Sequence, residues 1–282
     1  MVALGAGLLL LSLGLIGLNG AAALQRSVDT PEWSWRGPGP VAIFWSVLPL
    51  AILAPTPLLL LAAPIGGFEQ LDPAVATLGI ALSTNLATTL VVALTVVGTG
   101  AATWRDIFGQ HRISSPHLPI ADRRGGAIGD LAWGVALTAP IVVAAALLSA
   151  LLIQGTGAVP ESPLPPSVNS TALLVNLCSA ALIAPIGEEI LYRGVIAQAW
   201  GRQSGTRRAI AFSAIIFAFA HTLNIGGESI GDALAVAAIA FAIRLPLGIA
   251  LGWLWVRRQS LVATITLHAA YNALLVVASF AA

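Results

Sequence analysis

Long apolar runs recur along nearly the whole chain, and they constrain the fold more than any other feature. They cover roughly residues 3–24, 41–65, 74–102, 127–153, 170–200, 208–223, 231–256 and 260–281. A helix needs about 20 residues to cross the hydrocarbon core of a bilayer, so most runs are long enough and the sixth is marginal. Because the runs are continuous rather than alternating, they favour helices over the strands of a barrel. The sequence therefore predicts an all-α, polytopic membrane bundle with about eight transmembrane helices.

The composition agrees with a lipid environment. Hydrophobic residues make up 57% of the chain and charged residues only 9%, whereas a soluble domain carries about 25% charged residues. This deficit extends along the whole length and leaves no room for a separate soluble domain. The net charge of +1 gives no indication of a nucleic-acid partner. The single cysteine, Cys178, excludes an internal disulfide.

The arginines are distributed unequally between the loops. When successive loops are assigned to alternate sides, one side receives eleven arginines and the other side receives none. The eleven are Arg26, Arg36, Arg105, Arg112, Arg123, Arg124, Arg202, Arg207, Arg208, Arg257 and Arg258. The positive-inside rule places these loops in the cytoplasm, so both termini are predicted to be extracytoplasmic. We expect a multi-pass protein of a bacterial inner membrane, surrounded by lipid.

The chain is predicted to form one continuous membrane domain in two parts. Residues 1–169 contain helices 1–4 and an interfacial cytoplasmic loop at about 103–126, where arginine, proline and histidine interrupt any helical pattern. Residues 170–282 contain helices 5–8 and the candidate polar groups described next. The chain has no internal repeat, which disfavours a small-solute transporter.

A few polar side chains lie inside the predicted spans, where each ionisable group costs about 2.5–3.5 kcal/mol on insertion scales. They are Glu188, Glu189, Arg193, His221, Arg244, His268 and Asn272. With a rise of about 1.5 Å per residue, most of them lie about 15–21 Å from the arginine that marks the end of their helix. Any one of them alone also fits a structural role. Their shared depth predicts a buried polar cluster, and a cluster of this kind indicates function.

The two adjacent glutamates are predicted to have different roles. Successive residues diverge by about 100° around a helix, so Glu188 and Glu189 face different directions. Glu189 and Arg193 are spaced i and i+4 with the acid first, which favours an ion pair that is either structural or functional. Arg244 is expected to neutralise one of the carboxylates.

The histidines extend the cluster. Phe217 lies four residues before His221, so the two rings are predicted to pack on one helix face, and His268 and Asn272 have the same spacing. A carboxylate beside an imidazole activates water by general base catalysis. A second imidazole with an amide provides donors for an oxyanion. This set fits hydrolysis of a peptide bond, and the alternative is a zinc ion held by two histidines and one glutamate.

The order of these residues resembles the CPBP family of CAAX-protease and bacteriocin-processing (Abi) membrane peptidases. That family has the patterns EExxxR, FxxxH and HxxxN on successive helices. All three occur here in order, over roughly residues 170–281. The matching residues are Glu188, Glu189, Tyr192 (within the first motif), Arg193, Phe217, His221, His268 and Asn272.

The resemblance implies a role for each residue. Glu188 and His221 would activate water, while His268 and Asn272 would hold the oxyanion. The supporting residues would be Glu189, Tyr192, Arg193 and Phe217, and Arg244, which lies outside the family pattern, is grouped with them. A metal-free glutamate mechanism without a cofactor is favoured, and a zinc metallopeptidase with Glu188, His221 and His268 as ligands is the alternative.

The expected substrate is a membrane-associated protein or peptide rather than a prenylated CAAX protein. The alternative function is that of a non-catalytic scaffold or immunity protein that retains the family fold and binds a partner.

Overall fold

The helices follow the predicted apolar runs. The computed structural model describes residues 2–31, 33–57, 71–110, 113, 115–160, 166–223 and 229–281, and within these ranges it contains helices and no strand. The helices are α1 (Val2–Asp29), α2 (Pro40–Leu53), α3 (Pro73–Val97), α4 (Trp104–Ile107), α5 (Gly126–Thr156), α6 (Ser170–Ser204), α7 (Thr206–Ala220), α8 (Ile230–Arg258) and α9 (Leu261–Ala281).

Six helices are long and apolar enough to cross a membrane, namely α1, α3, α5, α6, α8 and α9. The predicted second and sixth spans correspond to α2 and α7, which have 14 and 15 residues and are shorter than expected. The end of the second apolar run lies outside the described residues. The polytopic helical bundle is confirmed, and the protein is a multi-pass membrane protein.

Large apolar side chains point outward from several helices. Leu18, Leu86 and Leu151 are 72%, 71% and 67% exposed. Soluble proteins avoid large contiguous apolar surfaces, whereas a lipid-facing helix surface requires them. The exposed leucines therefore agree with a bundle surrounded by lipid.

Helix α6 lies at the centre of the bundle and is irregular. An α-helical segment, Ala184–Glu189, is flanked by two π-helical segments, Leu177–Ile183 and Ile190–Ala197. Pro185 and Gly187 lie within the α-helical segment, and the backbone departs from α geometry in the adjacent π turns. A π turn changes the backbone hydrogen-bonding pattern and is frequent at functional sites.

Helices α7 and α8 approach closely at two glycines of α8. A Cβ atom added at Gly248 would lie 3.2 Å from Cα of Ala214, and one added at Gly252 would lie 3.1 Å from Cα of Ile210. Small residues let membrane helices pack backbone to backbone. Because the two helices are antiparallel, one further turn places Arg244 of α8 opposite Ala218 of α7.

The turn between α8 and α9 anchors the loop that follows α4. Gln259 has a left-handed backbone (φ 46°), and its carbonyl oxygen accepts a hydrogen bond from Arg123 at 2.9 Å. Asp130 of α5 accepts hydrogen bonds from Arg258 and Ser260, both at 2.7 Å. As predicted, most of the loop is irregular, and these bonds hold it against the bundle.

One carboxyl group of this loop has a perturbed pKa. The Arg124 guanidinium donates a hydrogen bond to Asp122 at 3.1 Å, and this bond lowers the pKa of the Asp122 carboxyl.

Candidate active site

Three side chains from three helices converge inside the bundle. The Oε2 atom of Glu188 on α6 lies 3.7 Å from Nε2 of His221, the residue that ends α7, and 3.9 Å from Nε2 of His268 on α9. Both distances are too long for direct hydrogen bonds. Two groups that share one water molecule lie up to about 5.6 Å apart when each hydrogen bond measures about 2.8 Å. The arrangement therefore allows one water molecule to contact the carboxylate and an imidazole together.

The exposure of these groups is unequal. The Glu188 and His221 side chains are 29% and 27% exposed, whereas the His268 side chain is 3% exposed. Oε2 of Glu188 accepts no hydrogen bond from the described residues. That oxygen is itself buried, so it is unpaired among the described residues, while the Glu188 and His221 side chains as wholes are partly exposed.

Each imidazole is held by its Nδ1 atom. His221 Nδ1 lies 2.8 Å from the carbonyl oxygen of Phe217, and His268 Nδ1 lies 2.9 Å from Oε1 of Glu189. A carbonyl oxygen and an ionised carboxylate only accept, so both Nδ1 atoms carry the hydrogen. Both Nε2 atoms consequently face Glu188, where a neutral ring presents a lone pair and a protonated ring presents a donor.

The predicted ion pair between Glu189 and Arg193 is present and fully buried. Arg193 Nη1 lies 2.9 Å from Glu189 Oε1, and both side chains are 0% exposed. Arg193 also donates to the carbonyl oxygen of Gly248 at 3.2 Å, and its guanidinium lies 4.8 Å from the centre of the Phe217 ring. A buried charge requires such partners, because an unpaired one is strongly destabilising.

The two glutamates meet one imidazole from opposite edges. Glu189 contacts Nδ1 of His268 and Glu188 faces Nε2 of the same ring. Because the two glutamates point in different directions, they lie at different edges of the His268 ring. Glu189 orients the ring through Nδ1, and Glu188 lies opposite its free Nε2 atom.

Phe217 lies between the aromatic groups of the site and is 1% exposed. Its ring centre is 4.6 Å from that of His221 and 5.6 Å from that of His268. Tyr192 packs edge-on against it at 5.4 Å. The phenyl ring thus restricts the positions of both imidazoles.

Asn272 lies one turn beyond His268 and connects two helices. Its Nδ2 atom donates to the carbonyl oxygen of Ala180 at 2.7 Å, within the first π-helical segment of α6. The amide has a second N–H group, so one donor is used for the fold and one is left for a ligand.

Arg244 forms no ion pair with any described residue. Its Nη1 atom donates to the carbonyl oxygen of Ala240 at 3.0 Å, and no carboxylate of the described ranges lies within 4.0 Å of it. It still interacts electrostatically with Glu188 and His221. Arg244, which was expected to neutralise a carboxylate, therefore does not do so by direct contact with a described residue.

The sequence reasoning missed Asn85 of α3. A Cβ atom at Gly187 would overlap Oδ1 of Asn85, so glycine at this point lets the Asn85 amide lie against the backbone of α6 directly before Glu188. Asn85 Nδ2 donates to the carbonyl oxygen of Ala81 at 3.0 Å. An amide within an apolar run is the signal that singled out Asn272, and it applies equally to Asn85.

The possible zinc ligands are placed more widely than a closed metal site requires. Two ligands of a tetrahedral zinc ion, each about 2.0–2.1 Å from the metal, lie about 3.4 Å apart. The separations from Glu188 to His221 and His268 are 3.7 and 3.9 Å. The described part of the chain contains no group of three histidine, cysteine or acidic side chains arranged to hold a metal.

Comparison with known protein families tests the resemblance. Residues 170–274 match the family model described as Type II CAAX prenyl endopeptidase Rce1-like. The resemblance inferred from the three motifs is therefore confirmed, and the matched segment contains Glu188, His221, His268 and Asn272. At the level of the family, the match supports an intramembrane endopeptidase with a peptide substrate. No curated protein and no solved structure matches the chain.

The buried ion pair predicts a specific pattern of stability. Arg193→Met leaves the Glu189 carboxylate buried without its cation, and we expect the free energy of unfolding to fall by about 3–5 kcal/mol. Adding Glu189→Gln removes the uncompensated charge, so the double variant should recover most of this loss. Unfolding in mixed detergent micelles measures both effects.

A matched control is Arg257→Met, since Arg257 lies on α8 with its side chain 48% exposed and 3.5 Å from Asp122. Exposed ion pairs contribute little, so this variant should unfold like the wild type. Equal stability of the Arg193 and Arg257 variants would contradict a structural role for the pair.

Proposed function

We propose that the protein is an intramembrane endopeptidase that hydrolyses a peptide bond of a membrane-associated protein or peptide, with Glu188 and His221 activating the water. The observation that supports this most directly is the placement of the Glu188 carboxylate opposite the Nε2 atoms of two imidazoles. This group lies within the segment that matches the peptidase family model.

Water activation uses the open edge of the site. Glu188 takes a proton from the water while the water oxygen attacks the carbonyl carbon of the substrate. His221 Nε2 accepts a hydrogen bond from the same water molecule. The proton then moves to the nitrogen of the leaving amine as the carbon–nitrogen bond breaks. General base catalysis of this kind contributes about 10²–10⁴-fold to a rate.

The oxyanion is stabilised on the other edge. His268 would donate to the oxyanion through Nε2–H with its ring in the doubly protonated form, held in place by the contact of Nδ1 with the Glu189 carboxylate. The second N–H group of Asn272 provides another donor. Donors held in position before the reaction stabilise developing charge effectively, because they do not have to reorganise.

The chemistry proceeds without a metal in this proposal. The described residues contain no group of three side chains arranged to hold a metal, and the proposal therefore uses a water molecule without zinc. With zinc, Glu189 would instead be the carboxylate that orients a ligand histidine, so the same contacts have a different meaning in the two mechanisms.

The catalytic roles predict the effect of two substitutions. Glu188→Gln and His221→Ala should each lower kcat/KM by at least about 100-fold, because each removes a group that activates water. Cleavage of a library of internally quenched apolar peptides in liposomes measures this. Asp232→Asn is the matched control, since it makes the same change from acid to amide at the exposed start of α8.

If the Glu188 and His221 variants cleave at wild-type rates, the proposed peptidase mechanism is wrong. Absence of cleavage by the wild type would favour the alternative, a non-catalytic scaffold or immunity protein that binds a partner.

Metal dependence is decided by a separate measurement. We expect purified protein to contain much less than one zinc ion per chain and to keep its peptidase rate after treatment with a strong zinc chelator. One zinc per chain, lost in both His221→Ala and His268→Ala, would establish the metallopeptidase mechanism instead.

We also propose the orientation that the arginines predict, with both termini extracytoplasmic in a bacterial inner membrane. Fusions of an alkaline phosphatase reporter to either terminus should then be active, since that enzyme folds only outside the cytoplasm. A green fluorescent protein that becomes fluorescent in the cytoplasm at either terminus would overturn the helix count.

A further inference from the structure

Arg244 is a charged residue of the site that contacts no acidic side chain among the described residues. Arg193 is matched by Glu189, whereas Arg244 has no carboxylate within 4.0 Å in the described part of the chain. Its one hydrogen bond to a described residue, to the carbonyl oxygen of Ala240, uses one of the five N–H groups of a guanidinium. Most of its donors are therefore free to bind a ligand.

The position of Arg244 is next to the proposed reaction centre. Extending the antiparallel contacts of Gly252 with Ile210 and of Gly248 with Ala214 by one turn places it opposite Ala218. It lies one turn along α8 from Gly248, whose carbonyl oxygen binds Arg193. The guanidinium interacts electrostatically with Glu188 and with His221 on one side and with Tyr271 on the other.

The charge of Arg244 needs an explanation beyond packing. A cation in the middle of a transmembrane helix is costly and usually marks a functional site. If this position served only for packing, an apolar residue would stabilise α8 in the membrane at least as well as arginine. A guanidinium is a planar fork that binds a carboxylate through two parallel hydrogen bonds.

We propose that Arg244 binds a carboxylate of the substrate beside the scissile peptide bond and thereby selects acidic peptides. This inference rests on the proposed peptidase function and adds the chemical class that the substrate must carry. The carboxylate comes from an acidic side chain or from a free C-terminus, since both present the same two oxygens. Arg244 acts in recognition and leaves water activation to Glu188.

The test compares matched peptides. Each apolar, internally quenched peptide is made in three forms: with Asn and an amidated C-terminus, with Asp and an amidated C-terminus, and with Asn and a free C-terminus. The wild type in phosphatidylcholine liposomes should prefer one of the two carboxylate forms over the neutral form by about tenfold or more in kcat/KM, mainly through KM. The preferred form identifies the source of the carboxylate.

Substitutions assign the preference to the guanidinium. Arg244→Gln should reduce the ratio between carboxylate and neutral peptides to about one. Arg244→Lys keeps the charge without the fork, so it should retain part of the ratio, and it remains informative if the glutamine variant is unstable. Arg257→Gln removes a charge from the same helix at an exposed position and should keep the wild-type ratio.

A binding measurement separates this inference from the proposed function. The three peptide forms, each with a photoreactive group, are crosslinked to the Glu188→Gln protein with Arg or Gln at position 244. If a carboxylate form is crosslinked only when Arg is at position 244, but the wild type cleaves no form, the role of Arg244 is supported and the proposed peptidase activity is wrong. If the wild type cleaves all three forms at equal rates, the peptidase activity is supported and carboxylate selection by Arg244 is wrong. If no form is bound or cleaved, both proposals are wrong.

Discussion

The buried chain of contacts from Arg193 through Glu189 to His268 is the interaction on which the rest of the site depends. Three helices, α6, α8 and α9, contribute to it, because Arg193 also binds the carbonyl oxygen of Gly248 on α8. In a medium without water, an ionised carboxylate is tolerated only with such partners. The charges therefore bring the helices into one arrangement, and that arrangement turns Nε2 of His268 toward Glu188.

The irregular backbone of α6 complements this chain. Its two π-helical segments enclose the short α-helical turn that carries both glutamates. One of these segments provides the carbonyl oxygen of Ala180, which accepts the hydrogen bond from Asn272. On the opposite face, Gly187 lets Asn85 of α3 approach the backbone next to Glu188. The N-terminal half of the chain thus supports a site whose motif residues all lie in the C-terminal half.

The site divides into a sealed part and an open part. Glu189, Arg193 and His268 are almost completely buried, and they set orientation and charge. Glu188 and His221 retain about a quarter or more of their exposure, so water and a substrate meet them first. In the proposed enzyme, this division keeps the positioning groups away from competing water. Arg244 is neither fully buried nor exposed, and in the proposed enzyme its guanidinium binds the substrate carboxylate.

Hydropathy and spacing along the chain determined much of this protein. The spans predicted at 127–153 and 231–256 are the helices Gly126–Thr156 and Ile230–Arg258, because helix length in a bilayer is set by local apolar content. Spacings of four residues likewise gave the contact of Phe217 with His221, since such pairs share a face of any α-helix. Only the tertiary structure decided that the two glutamates face opposite edges of one imidazole, that Asn85 lies against the backbone before Glu188 and that Arg244 has no carboxylate of the described residues in contact. These features depend on the rotation and register of one helix against another, which arise from side-chain packing between distant segments and have no periodic signal within either segment.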